Sequence, residues 1–498
     1  MSFKKDVFLG IDMGTSSVKA GLVSEAGRGL YPTSSAEYPT FYGKNGEVEQ
    51  DPWDWWNAVV QAVQNLVKNV PDLTERIAAI AVSCQAPTLF GIDQDGNPVG
   101  RGLIWMDRRS DHVCRTILKK HEDFIQRYSC NRIDPYYMLS KLEWQHENDI
   151  KTYSMINCYL QINGWIVNRM TGGVRSIDIT NANLTQLMNV HTLQWETEIF
   201  ERLGLDISKM PEIVSTHKIV GKLTKLVAET LGLKEGIPVA AGCVDGAAAP
   251  YGLGLEEVGD VFEMSGTSSG IGVILSEPRY CPKLSLMKHV CENKWFLKGS
   301  TSCSGGSLKW YRDYIDERRD KECFEEYSML AQKSASGANG VLFLPYLNGE
   351  RAPLWNSHLK GVCLGFTGGT DKRDMIRAIM EGTAYALRTI LEAFPEDVFQ
   401  KDIILGTGGG YRSKIWSQIK SDVLEKKICV KQMNFDAAVL GDAYIAMEAI
   451  GNKRFEVPFE KMKKTYEPQR ENLEVYEKQY RRFCRLYEVT KELFTEEG

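Results

Sequence analysis

One short turn occurs twice in this chain, and the repeat limits what the chain can fold into. Asp12-Met-Gly-Thr-Ser-Ser17 returns, altered, as Met264-Ser-Gly-Thr-Ser-Ser269. Each copy follows a short, mostly apolar run (Val7–Ile11, Asp260–Glu263) and precedes another (Val18–Val23, Ile271–Leu275). That order predicts a strand, a tight Gly-Thr-Ser turn and a second strand. A turn of small residues lets backbone N–H groups and hydroxyls approach an oxyanion such as a phosphate. One copy would be only a turn. Two copies with matching flanks, about half a chain apart, predict a duplicated domain closing on one nucleotide from both sides. The copies differ where a charge matters. Asp12 has Met264 as its counterpart, so a single Mg²⁺ site is expected, on the Asp12 side.

At 498 residues the chain exceeds what one hydrophobic core serves, which predicts two domains. A net charge of −5 and a pI near 6.0 argue against nucleic acid and anionic membranes as partners. No apolar run of membrane length occurs, and Met1–Asp6 leads into the first strand without the pattern of a signal peptide. The twelve cysteines are scattered without a C-x-x-C pair, so reduced thiols in a cytoplasmic protein are expected. The seven histidines show no metal spacing.

Along the chain, Asp51 and Pro52 open a helix as N-cap and first helical residue, and Val59, Val60, Val63, Leu66 and Val67 form its apolar stripe. Ile77–Ser83 is a buried strand, and Thr88–Asp93 a second that turns at Gln94–Asn97. Pro238–Asp245 predicts a strand delivering a carboxylate at its C-terminal end, the edge where α/β sheets bind ligands. Trp295–Leu297 is a strand, and Gly305 opens a helix. A long helix runs from Lys372 to about Phe394, with Thr370 as its cap. Asp402–Gly406 is a strand entering Thr407–Gly410, and a helix restarts near Ser413. Tyr476, Tyr480, Phe483 and Tyr487 stand at helical spacing in a C-terminal amphipathic helix. No low-complexity linker separates the halves, which predicts domains abutting along a cleft.

Asp245 is the foremost catalytic candidate. A carboxylate at a strand end, followed by the small residues Gly246–Ala249, leaves room for a small hydroxyl acceptor whose proton it accepts. Its competing reading is the cap of a helix starting near Ala247. Gly408-Gly-Gly410 offers either a flat platform for adenine or ribose or a tight turn. Trp105, Asp107 and Arg108 follow a strand, where Asp and Arg bind vicinal hydroxyls bidentately or form an ion pair. Trp53, Trp55 and Trp56 are packing aromatics or sugar-stacking rings. There is no Walker A sequence and no complete G-x-G-x-x-G.

In their order these pieces resemble the FGGY carbohydrate kinase family over essentially the whole chain. The resemblance rests on Gly10–Ser17, Gln50-Asp-Pro-Trp53, Ile104–Arg109, Asp245 and Ser265–Ser268. It continues with Phe343–Pro353 through Gly361 and Gly365 to Met380–Tyr385, then Gly408–Trp416 and Ser421–Leu424. It implies an α/β protein of two actin/ribonuclease-H-like domains, 1–245 and 246–498. Each is a mixed sheet flanked by helices, with the catalytic cleft between them. The implied activity is ATP-dependent phosphorylation of a sugar or polyol hydroxyl, with Mg²⁺. The partners are then ATP and a small sugar or polyol, and a homodimer is an option that no surface patch tests.

By the same resemblance Asp12 organises Mg²⁺-ATP, and Thr15 and Thr267 contact phosphates. Gly14, Ser16, Gly266, Gly305, Lys309, Gly409, Gly410 and Ser413 belong to the nucleotide side. Asp245 falls on the catalytic base and Tyr136 on a substrate position. Gln85, Ala86, Trp105, Asp107 and Gly246 complete the acceptor side. The nearest branch is that of the xylulokinases (pentulose kinases), which implies the terminal hydroxyl of a ketopentose such as D-xylulose. Two departures bear on the acceptor. Gln85-Ala-Pro87 lacks both the Gln-Arg-Glu of glycerol kinases and the Met-His of xylulokinases, and Gly246 replaces a common Asn or Gln. Gluconate, erythritol or another polyol, and L-xylulose or ribulose remain alternatives, with an actin- or chaperone-like ATP switch as the competitor from another class.

Overall fold

The computed structural model describes residues 4–318, 320, 322–431, 435–454 and 463–494. Two sheets organise it. The first contains β1 (Val7–Met13), β2 (Ser17–Ser24), β3 (Ser34–Glu37), β4 (Ile77–Cys84), β5 (Ile219–Lys222), β6 (Pro238–Ala240) and β7 (Cys243–Val244). The second contains β8 (Val261–Ser265), β9 (Ser269–Leu275), β10 (Ser285–Lys288), β11 (Trp295–Thr301), β12 (Ile403–Thr407), β13 (Lys427–Lys431) and β14 (Lys463–Tyr466).

The strand orders are β5-β6-β4-β1-β2-β3, with β7 also on β4, and β10-β11-β9-β8-β12-β13-β14. In each sheet the repeated turn joins an antiparallel pair, β1/β2 and β8/β9. The first strand of each pair then runs parallel to a later strand, β4 or β12. Beyond it lies a further parallel strand, β6 or β13, and then an antiparallel edge. The two halves thus share one topology, as the repeat predicts. All seven residues of β1 are buried, which suits a central strand with parallel and antiparallel neighbours.

Two helices from different parts of the chain lie between the sheets. Asp245–Gly252 and Ala437–Ala449 bury Ala247, Ala248, Ala443 and Ala446 in one core with Phe8 of the first sheet and Phe262 and Phe296 of the second. Glycine allows the approach. A Cβ on Gly441 would stand 2.0 Å from the Ala248 carbonyl oxygen, and one on Gly10 2.2 Å from that of Val439. The helix Ala437–Ala449 therefore packs on the first sheet although in sequence it lies between β13 and β14 of the second.

Several predicted elements differ in detail. The strand expected over Pro238–Asp245 is broken at Gly242, whose φ is +81°. A Cβ there would meet the Val82 carbonyl at 1.9 Å. Asp245 consequently heads the helix Asp245–Gly252 instead of ending a strand. The helix Lys372–Leu391 is capped by Asp371, not Thr370: Asp371 and Asp374 form a reciprocal capping box, while the Thr370 hydroxyl accepts from Thr367 N–H. The strand Thr88–Asp93 shrinks to Gly91–Ile92, because its partner Cys158–Tyr159 is only that long. The helix at Asp51–Pro52 starts as read, with the Asp51 carboxylate accepting from Trp53 N–H at 2.9 Å. Trp55 and Trp56 are core residues of that helix. Trp53 is exposed, with the Arg169 guanidinium between it and Trp56, 4.7 Å from each ring. Among the described residues no helix is long and apolar enough to cross a membrane.

Candidate active site

A cleft of about 1210 Å³ lies between the sheets, and both hairpin tips reach it. Asp12 comes from the end of β1, where register places it opposite Ser83 of β4. The Ser83 hydroxyl lies 3.3 Å from Asp12 Oδ1 and 2.8 Å from Asp442 Oδ2 on the helix Ala437–Ala449. Lys19, across the hairpin from Asp12, sits 3.8 Å from it and 2.7 Å from Asp436, the cap of that helix. Burial, with Asp245 and Asp436 adding to it, raises the Asp12 carboxyl to about 7, opposed by Lys19 and Ser83. The first tip is fixed from below. Gln50 Nε2 donates to the Thr15 carbonyl at 2.8 Å, and Trp105 Nε1 donates to Thr15 Oγ1 at 3.2 Å.

The second tip rests on a buried ion pair. Lys420 Nζ lies 3.0 Å from Glu263 Oε2 and 2.7 Å from Ser265 Oγ, with both charged side chains inaccessible to solvent. Strand β12 then enters Gly408 at φ +98°, where a Cβ would stand 2.3 Å from the Ser265 carbonyl oxygen. At Gly409 a Cβ would meet nothing within 4 Å, so this backbone presents an open flat surface to the cleft. Gly305 N–H donates to the Gly266 carbonyl at 3.0 Å, which docks the helix Gly305–Trp310 behind the tip.

Asp245 lies at the junction of the two halves. Burial raises its carboxyl to about 6, opposed by Lys298, by the Gly246 N–H at 2.6 Å and by Lys19. Gln85, Ala86, Trp105, Tyr136, Gly246, Met287, Lys298 and Arg351 line the same cleft, and Lys298 and Tyr136 are near enough to feel the Asp245 charge. Tyr136 donates to the Ala86 carbonyl at 3.1 Å, and its ring meets Trp105 edge-on at 6.4 Å between centroids.

Of the residues read from sequence, the cleft is lined by Asp12, Thr15, Gln85, Ala86, Trp105, Tyr136, Asp245, Gly246, Gly266 and Gly409. Gly14, Ser16 and Thr267 belong to the hairpin turns without lining it. Gly410 is packed where a Cβ would reach Ser265 Oγ at 2.1 Å. Ser413 caps the helix Lys414–Leu424 and shares a hydrogen bond with Ser328 at 2.8 Å. Lys309 is exposed outside the lining. Asp107 does not reach the cleft. It is inaccessible to solvent, pairs with Arg109 at 2.8 Å and accepts from Val48 N–H at 2.8 Å, so its carboxylate serves the scaffold. The sequence reading passed over Lys19, Lys298, Arg351 and Asp436. Lys298 had a legible signal, a lone cation in the run Trp295-Phe-Leu-Lys-Gly-Ser-Thr301.

The residues suit a nucleotide with its metal. Residues of both hairpin tips line one cleft, an open glycine surface flanks the second, and one buried carboxylate stands at the first. Among the described residues no three or more His, Cys, Asp and Glu side chains are grouped to hold a metal ion. A single carboxylate is what Mg²⁺ needs when phosphates and water complete its octahedron.

Residues 7–252 match the model of the N-terminal domain of the FGGY family of carbohydrate kinases, and residues 263–450 that of its C-terminal domain. The chain is 29% identical to the xylulose kinase of Bacillus subtilis (strain 168) over 498 residues, 98% of each chain. It is also 29% identical to the gluconokinase of the same organism over 455 residues, covering 89% of this chain and 87% of that one. The ligand-bound xylulose kinase from Lactobacillus acidophilus superposes with a TM-score of 0.89 at 23% identity, over 99% of this chain and 100% of that one.

Proposed function

The chain belongs to the FGGY family of carbohydrate kinases, and from that premise we propose that it transfers the γ-phosphoryl group of ATP to the terminal primary hydroxyl of a short, open-chain sugar or sugar derivative. Ketopentoses, D-xylulose first, are the nearest neutral candidates, in keeping with the relatives named xylulose kinase. The observation that carries the reading is the position of Asp245, in the cleft that both hairpin tips enter, with its carboxyl held near 6. A base of that strength is ionised at neutral pH yet still takes a proton in the transition state.

In this reading Gln85, Trp105, Tyr136 and Gly246 hold the acceptor. Asp245 accepts its hydroxyl proton as the new O–P bond forms and the bridge to the β-phosphate breaks, with ADP leaving. Thr15 and the backbone at Gly266 and Ser268 orient the phosphates, and Gly408 and Gly409 carry the adenosine. Asp12 would hold Mg²⁺, which when bound neutralises phosphate charge. Positioning lowers the barrier by about 7–11 kcal/mol, more than the base supplies.

The test is ADP release with Mg²⁺-ATP over a panel of ketopentoses, polyols, aldonates and hexuloses. Asp245→Asn is expected to lower kcat by about 10²–10⁴-fold while ATP still binds. Full turnover in that folded variant, or ATP hydrolysis that no acceptor accelerates, would refute the reading.

A further inference from the structure

Two cations at the acceptor end of the cleft have fewer partners among the described residues than they can use. Alternation along β11 turns Lys298 and Ser300 to the cleft while Leu297 and Gly299 are buried. The Lys298 ammonium occupies space that two glycines leave. Its Nζ is 3.4 Å from where a Cβ of Gly246 would stand, and its Cε 3.2 Å from the corresponding point at Gly270. It makes no hydrogen bond or ion pair with any described residue. Asp245 and Arg351 are the charged groups that act on it, and neither lies within ion-pair distance.

Arg351 is the second cation. Its guanidinium lies 5.1 Å from the Trp105 ring, donates from Nη2 to the Thr301 carbonyl at 3.3 Å, and has a buried Nε without a partner. The adjacent Glu350 carboxylate attracts it through space, yet its hydrogen bonds go elsewhere than to the guanidinium. Glu350 accepts from Thr301 Oγ1 at 2.6 Å, from Ser302 N–H at 2.6 Å and from the Arg351 backbone N–H at 2.8 Å. Among the described residues lining this end, Asp245 is the carboxylate that acts on Lys298, and as the base it must leave its oxygen free for a hydroxyl. The remaining charged lining residues, Asp12, Lys19, Asp436, Arg412 and Lys431, flank the phosphate and adenosine parts.

A desolvated cation without a counter-charge is costly, and a neutral sugar gives it only weak acceptors. We infer that the acceptor carries a carboxylate, as an aldonate or ketoaldonate does, and that Lys298 and Arg351 bind this carboxylate while Asp245 meets the hydroxyl at the other end of the molecule. The inference rests on reading the cleft as a sugar-kinase site. It makes Lys298 a specificity residue of that site.

The experiment pairs each aldonate with the alditol and ketose of the same carbon number and measures kcat/KM for each by ADP release. It uses the intact protein and the variants Lys298→Met and Lys298→Arg. Lys298 also acts on Asp245, so the quantity read is the acid-to-neutral ratio of kcat/KM, in which any change in the base cancels. The expected result is a ratio well above unity that falls about tenfold or more in Lys298→Met and is largely restored in Lys298→Arg. Turnover of neutral sugars only, or of sugar phosphates in place of acids, overturns the inference and leaves the kinase reading intact. A rise in the KM for ATP with an unchanged ratio also overturns it, because Lys298 would then serve the nucleotide. Absence of turnover with every acceptor counts against the kinase reading. Calorimetric titration with the aldonate then still decides the inference: binding weakened about tenfold in Lys298→Met supports it, and equal or undetectable binding overturns it.

Discussion

At the scale of single residues, the site turns on how burial and neighbours set three carboxyl groups. Burial raises Asp12, Asp245 and Asp442 together. The Ser83 hydroxyl lies between Asp12 and Asp442, and burial, with the Asp12 charge adding to it, holds Asp442 well above the usual carboxylate range. For Asp245 the sign of the pH effect follows from its role. The base works as the carboxylate, its carboxyl lies near 6, and kcat/KM for the acceptor is therefore expected to fall about tenfold per pH unit below that value. A pH–rate profile flat down to pH 4.5 would remove Asp245 from the role. Asp12→Asn is expected to raise the Mg²⁺ concentration needed for half-maximal turnover, and a titration matching the parent protein would show that Asp12 does not organise the metal. Much of this was readable beforehand, since Asp12 and Asp245 each stand beside small residues at the end of an apolar run. Asp107 shows the limit. Its neighbours Trp105 and Arg108 look the same in sequence whether its carboxylate meets a sugar or Arg109, and the pairing of β-strand ends with Glu49 and Val48 decides for Arg109.

At the scale of elements, the hairpins were the most legible part of the chain. A Gly-Thr-Ser turn between apolar runs has few conformations open to it, and both copies close as antiparallel strand pairs, as read. What holds the second tip is less visible, because Lys420 and Glu263 are 157 positions apart. With both groups inaccessible to solvent, removing one leaves the other charge unpaired in a low dielectric. Lys420→Met is expected to destabilise the fold by about 3–5 kcal/mol, and the double variant Lys420→Met with Glu263→Gln to recover a large part of that loss. Chemical denaturation of the three proteins checks this; equal losses in the single and double variants would show that packing, not charge, accounts for the effect. The capping of the helix Lys372–Leu391 and the break at Gly242 were misread for a related reason. Asp371 outcompetes Thr370 through Asp374, and Gly242 is shaped by the Val82 carbonyl on another strand.

At the scale of the whole molecule, two copies of one topology meet across the helices Asp245–Gly252 and Ala437–Ala449. The cleft between them, about 1210 Å³, exceeds the 300–1,000 Å³ of ordinary ligand pockets. A site that must exclude water from phosphoryl transfer is expected to close further on its ligands. Small-angle scattering should therefore show a smaller radius of gyration with Mg²⁺-ADP and acceptor together than without them, and identical values would argue for a cleft that works as it stands. The sequence alone determined the duplicated α/β architecture, the phosphate-suited turns and Asp245 as the foremost carboxylate. These depend on hydrogen bonds and side-chain alternation within a few residues, which neighbouring letters reveal. Only the tertiary structure decided which charges share the cleft: Lys19 meets Asp436 across 417 positions, and Lys298 and Arg351 converge beside Asp245. The reason is that a residue's field acts through space, and the distances are set by helices crossing close enough for glycine alone.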